Sequence, residues 1–359
     1  MTETPLLFQP ITLRSVTARN RIVISPMCQY SATDGLGDDW HIQHLGAKAM
    51  GGAGIVFTEA THVSPRGRIT PYCLGLWKAE HALFLERVAA IIRRGGAIPG
   101  IQLAHAGRKA SVARPWDGGK PLPPKDGGWV GVGPSAVPFD GGYTVPEALT
   151  VGGIAEIAAQ FAASARMARE AGFQVAEIHA AHGYLLSSFL SPLANRRNDA
   201  YGGGLAGRSR FLMETVDAVR GAWPAELPLF VRISCSDWTP GGFTPDEAVG
   251  VAKRLAARGD VDLVDCSSGG NSPLQVVPTH PGYQVPFAER VRKEAGIASG
   301  AVGLIRRPDH ATEILANGRA DIVLLARAVL ADPAWPMRAA KTLGVRLPWP
   351  AQYARGTLA

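Results

Sequence analysis

The chain reads as an α/β protein, a single (β/α)8 barrel with a hairpin at its N-terminus and a long excursion after its third strand. Three observations lead there. Short β-branched or apolar runs alternate with longer segments of helical period, the pattern of a parallel sheet with helical crossovers. Eight such runs can be counted, and eight strands close the barrel also called a TIM barrel. The length of 359 residues, with 46% hydrophobic content, suffices for one large core, and barrels of roughly 250 residues and upward commonly stay one domain.

The hairpin comes first. Between Phe8 and Ile22 two short apolar runs flank Arg14-Ser15, and the expected hairpin would plug the bottom of the barrel. The barrel strands are expected at 21–25, 54–58, 98–103, 175–179, 229–234, 263–267, 297–302 and 322–326. A helix over 153–171 places Ile154, Ile157, Phe161, Ala165 and Ala168 on one face and stops at Gly172. Another opens with Thr244 as N-cap, Pro245 at the first helical position and Glu247 completing a capping box, and closes near Gly259. Segment 108–151 is crowded with Gly and Pro and too long for an ordinary connection. It holds too little apolar material for a core of its own, so it is expected as a lid within the single domain 1–359. Residues 345–359 are expected as a C-terminal arm, an expectation that rests on the resemblance given below.

Composition excludes several classes. The opening Met1-Thr2-Glu3-Thr4-Pro5 lacks the basic start and apolar run of a signal peptide, and no apolar stretch approaches the roughly 20 residues that span a bilayer. The expectation is a soluble, cytoplasmic protein with no membrane partner. Cys28, Cys73, Cys235 and Cys266 are widely separated, with no Cys-x-x-Cys pair and no disulfide framework. The net charge of +7 comes mostly from scattered arginine, unlike the basic runs of a nucleic-acid arm. It reads as a solvated surface that attracts anionic cofactors.

In such barrels the chemistry sits at the carboxyl ends of the strands. The first strand runs into Ser25-Pro26-Met27-Cys28-Gln29-Tyr30, the third into Gln102-Leu103-Ala104-His105, and the fourth into His179-Ala180-Ala181-His182-Gly183-Tyr184. The fifth carries Arg232, the sixth ends in Ser267-Ser268-Gly269-Gly270, the seventh in Gly303 and the eighth in Ala326-Arg327. Gly303 permits close backbone approach and Arg327 adds a bidentate charge, which suits a phosphate; a turn glycine and a surface arginine suit the same residues. The spacing of His179 and His182 fits an oxygen-binding pair, a metal site or a packed loop. A metal site wants three or four ligands, whereas Glu59 and Asp237 read as isolated and Asp265 as internal to strand six, so two donors to a substrate oxygen is the better reading. Tyr184 would then deliver a proton in the same pocket. Cys28 suits either a buried small hydrophobe or a functional thiol.

Together these motifs resemble the old yellow enzyme family. The likeness rests on the runs from Ser25 to Tyr30, from Gln102 through His105-Ala106-Gly107-Arg108-Lys109, and from His179 to Tyr184. It extends to Asn195-Arg196-Arg197-Asn198-Asp199-Ala200-Tyr201-Gly202-Gly203 and Arg208-Ser209-Arg210-Phe211, and so covers nearly the whole chain. Cys28 and the compact length are similar to the thermophilic-like subclass of NAD(P)H-dependent ene-reductases. The resemblance implies noncovalent FMN lined by Ser25, Pro26, Met27 and Cys28, contacted by Ala60, Gln102 and Arg232, with its phosphate held around Gly303, Ala326 and Arg327. It implies NADPH or NADH as donor and activated alkenes as substrates. His179 and His182 would bind the carbonyl oxygen, Tyr184 would be the proton donor, and Tyr30 and Cys28 would touch substrate. Ala326 departs from the glycine that relatives often carry. The tail, from Pro350 to Gly356, resembles an arm that crosses into a neighbouring subunit of a homodimer or homotetramer and delivers Arg355; a frayed terminus suits the same residues. Two rivals stand beside this reading: a metal-dependent barrel hydrolase or lyase using His105, His179 and His182, and a non-catalytic flavin-binding stress protein.

Overall fold

In the computed structural model, which describes residues 4–356, the short apolar runs pair side by side and close into a ring. A hairpin leads, with β1 (Ile11–Leu13) antiparallel to β2 (Val16–Ala18) and Arg14 turning at a φ of 50°. The first barrel strands are β3 (Ile22–Ile24), β4 (Ile55–His62) and β5 (Ile98–Ala104). Next, β6 (Val132–Gly133) and β7 (Glu147–Ala148) form a small pair inside the excursion. The barrel resumes with β8 (Val175–Ala180), β9 (Leu229–Ser234), β10 (Leu263–Ser267), β11 (Ala298–Ala301) and β12 (Ile322–Leu325). Every barrel pairing is parallel, and β12 returns to β3. This is the (β/α)8 barrel that the sequence predicts.

The helices are α1 (Asp39–Met50), α2 (Ala79–Arg94), α3 (Val151–Glu170), α4 (Leu185–Leu190), α5 (Leu205–Ala222), α6 (Pro245–Arg258), α7 (Val285–Arg290), α8 (Pro308–Ala316), α9 (Arg327–Ala331) and α10 (Trp335–Thr342). In α3 the five anticipated core residues are all buried, and the helix starts two residues early because Thr150 caps it through the Gly153 N–H. The capping box at Thr244 forms, and Gly259 ends α6 in the left-handed conformation. Both cap types satisfy backbone groups that a helix end leaves orphaned.

Because helices cover the outside and side chains fill the inside, the strands are buried on both faces. Val23, Ile55, Phe57, Val175, Phe230, Leu263, Ile322 and Leu324 cluster with Ile11 and Ala18, so the hairpin closes the N-terminal end of the barrel. The second barrel strand runs past its expected end at 58. A register shift between Phe57 and Ala60 lets Thr58, Glu59, Thr61 and His62 remain in a buried strand despite their polarity.

The excursion between β5 and α3 consists of turns pinned to the barrel. Arg108 donates to the carbonyls of Pro138 and Asn271, Trp129 Nε1 to Arg66 O, and Arg197 Nη1 to Pro134 O and Leu149 O. Pro348–Tyr353 of the arm line a cleft with Arg19, Met50, Gly95 and Gly96, next to the hairpin. Residues 1–3 of the opening and 357–359 of the arm lie outside the described residues. Among the described residues no helix is long and apolar enough to cross a membrane.

Candidate active site

The loop leaving β3 carries Ser25, Pro26, Met27, Cys28 and Tyr30 over the carboxyl end of the barrel. Glu59 holds it, accepting the Gln29 backbone N–H at 3.2 Å with one oxygen and facing His41 Nε2 at 3.2 Å with the other. Glu59 is therefore tied, not isolated, because its partners come from the β3 loop and from α1. Tyr30 turns at a φ of 51° and clusters with Cys28, Cys73, Trp129, Tyr143 and Tyr184, which brings the excursion over the site. Burial, and after it the charge of Glu59, raises the Cys28 pKa well above its ordinary value, so the group is a neutral thiol.

Beneath that loop the barrel interior turns polar. Alternate residues of a strand share a face. Val175, Glu177 and His179 of β8 accordingly point inward, as do Phe230 and Arg232 of β9 and Leu263 and Asp265 of β10. Register sets Gln102 beside Glu177, His179 beside Arg232, and Arg232 beside Asp265. Gln102 Nε2 donates to Glu177 Oε1 at 2.8 Å, Arg232 Nη1 donates to Ser25 Oγ at 3.1 Å, and Arg232 Nε lies 3.1 Å from Asp265 Oδ2. Glu177 carries no motif signal and Asp265 reads as internal to its strand, yet alternation aims both at the barrel axis. Strand alternation is the signal that would have found them.

At the mouth, His179 Nδ1 accepts the Ala181 N–H at 3.2 Å, which leaves the ring proton on Nε2 as a donor. His182, at a φ of 61°, donates its backbone N–H to Ser234 Oγ at 2.8 Å, and its Nε2 lies 2.7 Å from Ser267 Oγ. The two imidazoles stand perpendicular with centroids 5.1 Å apart, and the Tyr184 ring meets His179 edge-on at 5.2 Å. Burial foremost, then neighbouring basic groups, lowers both histidine pKa values well below the ordinary range, so both rings are neutral. Burial foremost, then the Cys28 thiol, raises that of Tyr184, which stays a phenol.

Lys109 underpins this corner. Its Nζ donates to His182 O and Gly270 O, each at 2.9 Å, and lies 5.2 Å from the Tyr184 ring centroid. Burial, then Arg108, lowers its pKa to about 8. The loops after β8 and β10 meet here backbone to backbone. A Cβ on Gly183 would fall 2.0 Å from Gly270 O, and one on Gly270 would fall 2.4 Å from the His182 carbonyl, so both positions require glycine.

Across the mouth, Gly303 adopts a φ of 125°, and a Cβ there would press on Gln284 at 3.2 Å. It lines a cleft with Ala326, Arg327, Tyr283, Gln284 and Arg306. Arg306 is a second guanidinium that no motif signals. Ala326 has φ −119° and ψ −89°, which does not demand glycine, so the substitution keeps the backbone N–H.

Other sequence candidates lie elsewhere. His105 faces a cleft lined by Ser64, Arg66, Glu147 and Ile157, apart from the His179–His182 pair, and the three rings do not converge. Asp237, read as isolated, accepts from Ser191 Oγ, Asn271 Nδ2 and the Phe243 N–H, and so braces loops. Among the described residues no group of three or more His, Cys, Asp or Glu side chains is arranged to hold a metal. Arg355 is exposed in a turn, Ala351–Gly356, whose neighbours lie by the N-terminal end of its own barrel. It is not brought to the His179 pocket of the same chain.

A parallel barrel with a cleft flanked by Arg306 and Arg327, a buried Gln102–Arg232 shelf and a neutral histidine pair at one mouth is a scaffold able to seat an anionic nucleotide cofactor, as oxidoreductases do. Residues 6–345 match the NADH:flavin oxidoreductase / NADH oxidase family, and the chain belongs to it, among the old yellow enzymes. It is 48% identical over 353 residues to the NADPH dehydrogenase of Geobacillus thermodenitrificans, covering 98% of each chain. The old yellow enzyme homologue from Zymomonas mobilis superposes with a TM-score of 0.80 at 26% identity, covering 95% of this chain and 94% of that one. Morphinone reductase in complex with tetrahydroNAD superposes at 0.77 and 26% identity, covering 97% and 93%. The chain is thus an old yellow enzyme type oxidoreductase that uses FMN, takes NAD(P)H as donor and acts on small molecules. The residues fit FMN: the cradle at Gly303 is one that a Cβ would narrow, and Arg306 and Arg327 offer charge to a phosphate.

Proposed function

We propose that this chain reduces the C=C bond of α,β-unsaturated carbonyls and related activated alkenes. The observation that carries this reading is the perpendicular, neutral His179–His182 pair with the Tyr184 phenol beside it, above the Gln102–Arg232 shelf. FMN, when bound, would supply the hydride chemistry that links NAD(P)H to the alkene.

Ser25, Pro26, Met27, Cys28, Ala60, Gln102 and Arg232 would hold the ring, and Gly303, Ala326 and Arg327 the phosphate. Arg232, a buried guanidinium, would offset negative charge on the bound ring. His179 donates from Nε2 to the substrate carbonyl. His182 donates from Nδ1 when Ser267 gives its hydroxyl hydrogen to Nε2. Two donors on one oxygen polarise the alkene, so the β carbon accepts hydride while negative charge gathers on oxygen. Tyr184 then gives its hydroxyl proton to the α carbon from the opposite face, a net trans addition. Tyr30 helps hold substrate, and Cys28, a thiol, tunes the ring environment without attacking carbon.

Because the arm lies by the far end of its own barrel, Arg355 would complete a pocket only in a neighbouring subunit, which supports a homodimer or homotetramer with exchanged arms. The test of the reaction is anaerobic. Protein reduced with NADPH should reoxidise on adding 2-cyclohexenone, and His179→Ala or His182→Ala should weaken the absorbance change caused by bound phenols. Reduced protein that reoxidises with oxygen but with no enone would overturn the reading.

A further inference from the structure

The mechanism leaves two carboxylates beneath the cofactor shelf without a task. Glu177 and Asp265 are both 0% exposed, and the shelf residues Gln102 and Arg232 are buried with them. Below them lie Phe57, Val175, Phe230 and Leu263, which keep that side of the barrel apolar. The groups facing Glu177 are few: Gln102 from β5, Arg232 from β9, Asp265 from β10, and, two residues along its own strand, the neutral His179. Among the described residues Glu177 Oε2 has no hydrogen-bond partner and neither does either Asp265 oxygen, Oδ2 having only its ion-pair contact with Arg232.

Charge counting makes the arrangement unusual. Two ionised carboxylates against one guanidinium would leave a net negative charge in an apolar barrel, and burying an unpaired carboxylate is costly enough that such groups take up a proton instead. Burial foremost raises the pKa of both acids. The charge of Asp265 raises Glu177 further, while Arg232 lowers both acids and Gln102 lowers Glu177; because the guanidinium is in contact with Asp265, Glu177 is the member that keeps the proton. Gln102 Nε2 touches Glu177 and Arg232 Nε touches Asp265, so each shelf residue meets one member of this pair.

We propose that Glu177 and Asp265 share one proton, held at Glu177, whose affinity is coupled to the charge of the cofactor seated on Gln102 and Arg232. The inference rests on that seat for FMN. When NAD(P)H delivers a hydride, two electrons and one proton enter the ring and one negative charge is added nearby. The added charge tightens the carboxyl's hold on its proton. Over the pH range between the two affinities, one further proton enters from solvent and forms the Glu177 O–H bond, and nothing else is oxidised or reduced. Glu177 acts here through the shelf and is a positioning and charge-compensating residue.

The test is the midpoint potential of the bound flavin, measured from mildly acidic to alkaline pH in the wild-type protein and in Glu177→Gln. The wild-type plot should contain a segment of doubled slope, where two protons accompany two electrons, flanked by segments of single-proton slope. Glu177→Gln should give one unbroken single-proton line. A wild-type line without the steep segment, or a steep segment that survives in Glu177→Gln, overturns the proposal. Should the variant fail to fold, infrared difference spectra of the reduced minus the oxidised wild-type protein serve instead. At a pH inside the steep segment they should show a gained carboxylic-acid carbonyl band, and its absence counts against the proposal. The cofactor seat is tested separately: Gln102→Ala should shift the flavin absorption spectrum, and an unchanged spectrum would sink the seat itself.

Discussion

Replacing Tyr184 by Phe removes one hydroxyl and little else. The ring keeps its edge contact with His179 at 5.2 Å and its place beneath Lys109 Nζ. No protein hydrogen bond to the Tyr184 hydroxyl is present among the described residues, so its removal leaves no protein group unpaired and stability should change little. A positioned general acid contributes roughly 10²- to 10⁴-fold. At ~1.4 kcal/mol per tenfold, its loss raises the barrier of the alkene step by about 3–5 kcal/mol. Nothing in the reduction of the flavin by NADPH calls on this proton. Rapid mixing under anaerobic conditions separates the two half-reactions. Tyr184→Phe should bleach at about the wild-type rate and reoxidise with 2-cyclohexenone slower by roughly 10² or more. Tyr184 itself should impose no pH dependence on wild-type reoxidation through neutrality, because burial keeps the phenol protonated. Equal slowing of both half-reactions, or an unaffected reoxidation, would refute the role of Tyr184.

Other outcomes are as definite. Ser267→Ala takes the hydroxyl from His182 Nε2, 2.7 Å away, and should weaken phenol binding by about fivefold, the worth of one ~1 kcal/mol hydrogen bond, in an absorbance titration; an unchanged affinity would detach Ser267 from the pair. Gly303→Ala forces a side chain onto a φ of 125° and against Gln284 at 3.2 Å, a cost of about 1–3 kcal/mol to the folded protein, so the melting temperature should fall, and an unchanged melting temperature would contradict the strain. Burial lowers the pKa values of His62 and His105 to about 3, in each case with smaller help from neighbouring basic groups. With folded values below the unfolded value of roughly 6.5, stability is present above that pH and is lost as pH falls toward about 3. Each histidine then costs roughly 2 kcal/mol by about pH 5, and a melting temperature that stays level between about pH 7 and 5 would contradict this.

The barrel was legible because each strand is buried on both faces, so it shows as a brief apolar run between clear helix signals such as Thr244-Pro245 and Gly172. Where polarity enters a strand the legibility fails. The stretch from Thr58 to His62 resembles a loop, yet it is strand, since a bulge and buried partners accommodate the polar groups. The mouth residues His179, His182 and Tyr184 follow from strand-end position, but their neutrality and perpendicular rings depend on burial that no local run of residues encodes. Glu177 lies in a run of five residues, Val175 to His179, whose alternation was visible; what was not visible is that β9 and β10 would set one guanidinium and a second carboxylate against it. Ser267 and Arg306 acquire their positions from pairings across the barrel, at sequence distances that composition and spacing do not register.

The contact between Gly183 and Gly270, drawn together by Lys109, bears on how this pocket can diversify. Side chains cannot be added at either glycine, and the ammonium that spans both loops leaves their spacing fixed. Changes in what the enzyme accepts should therefore enter through the excursion, in the turns around Trp116, Trp129 and Tyr143 that lie over the site beside Tyr30. A library randomised in those turns should yield active variants with altered selectivity, whereas the same effort spent on the glycine corner should return mostly inactive protein.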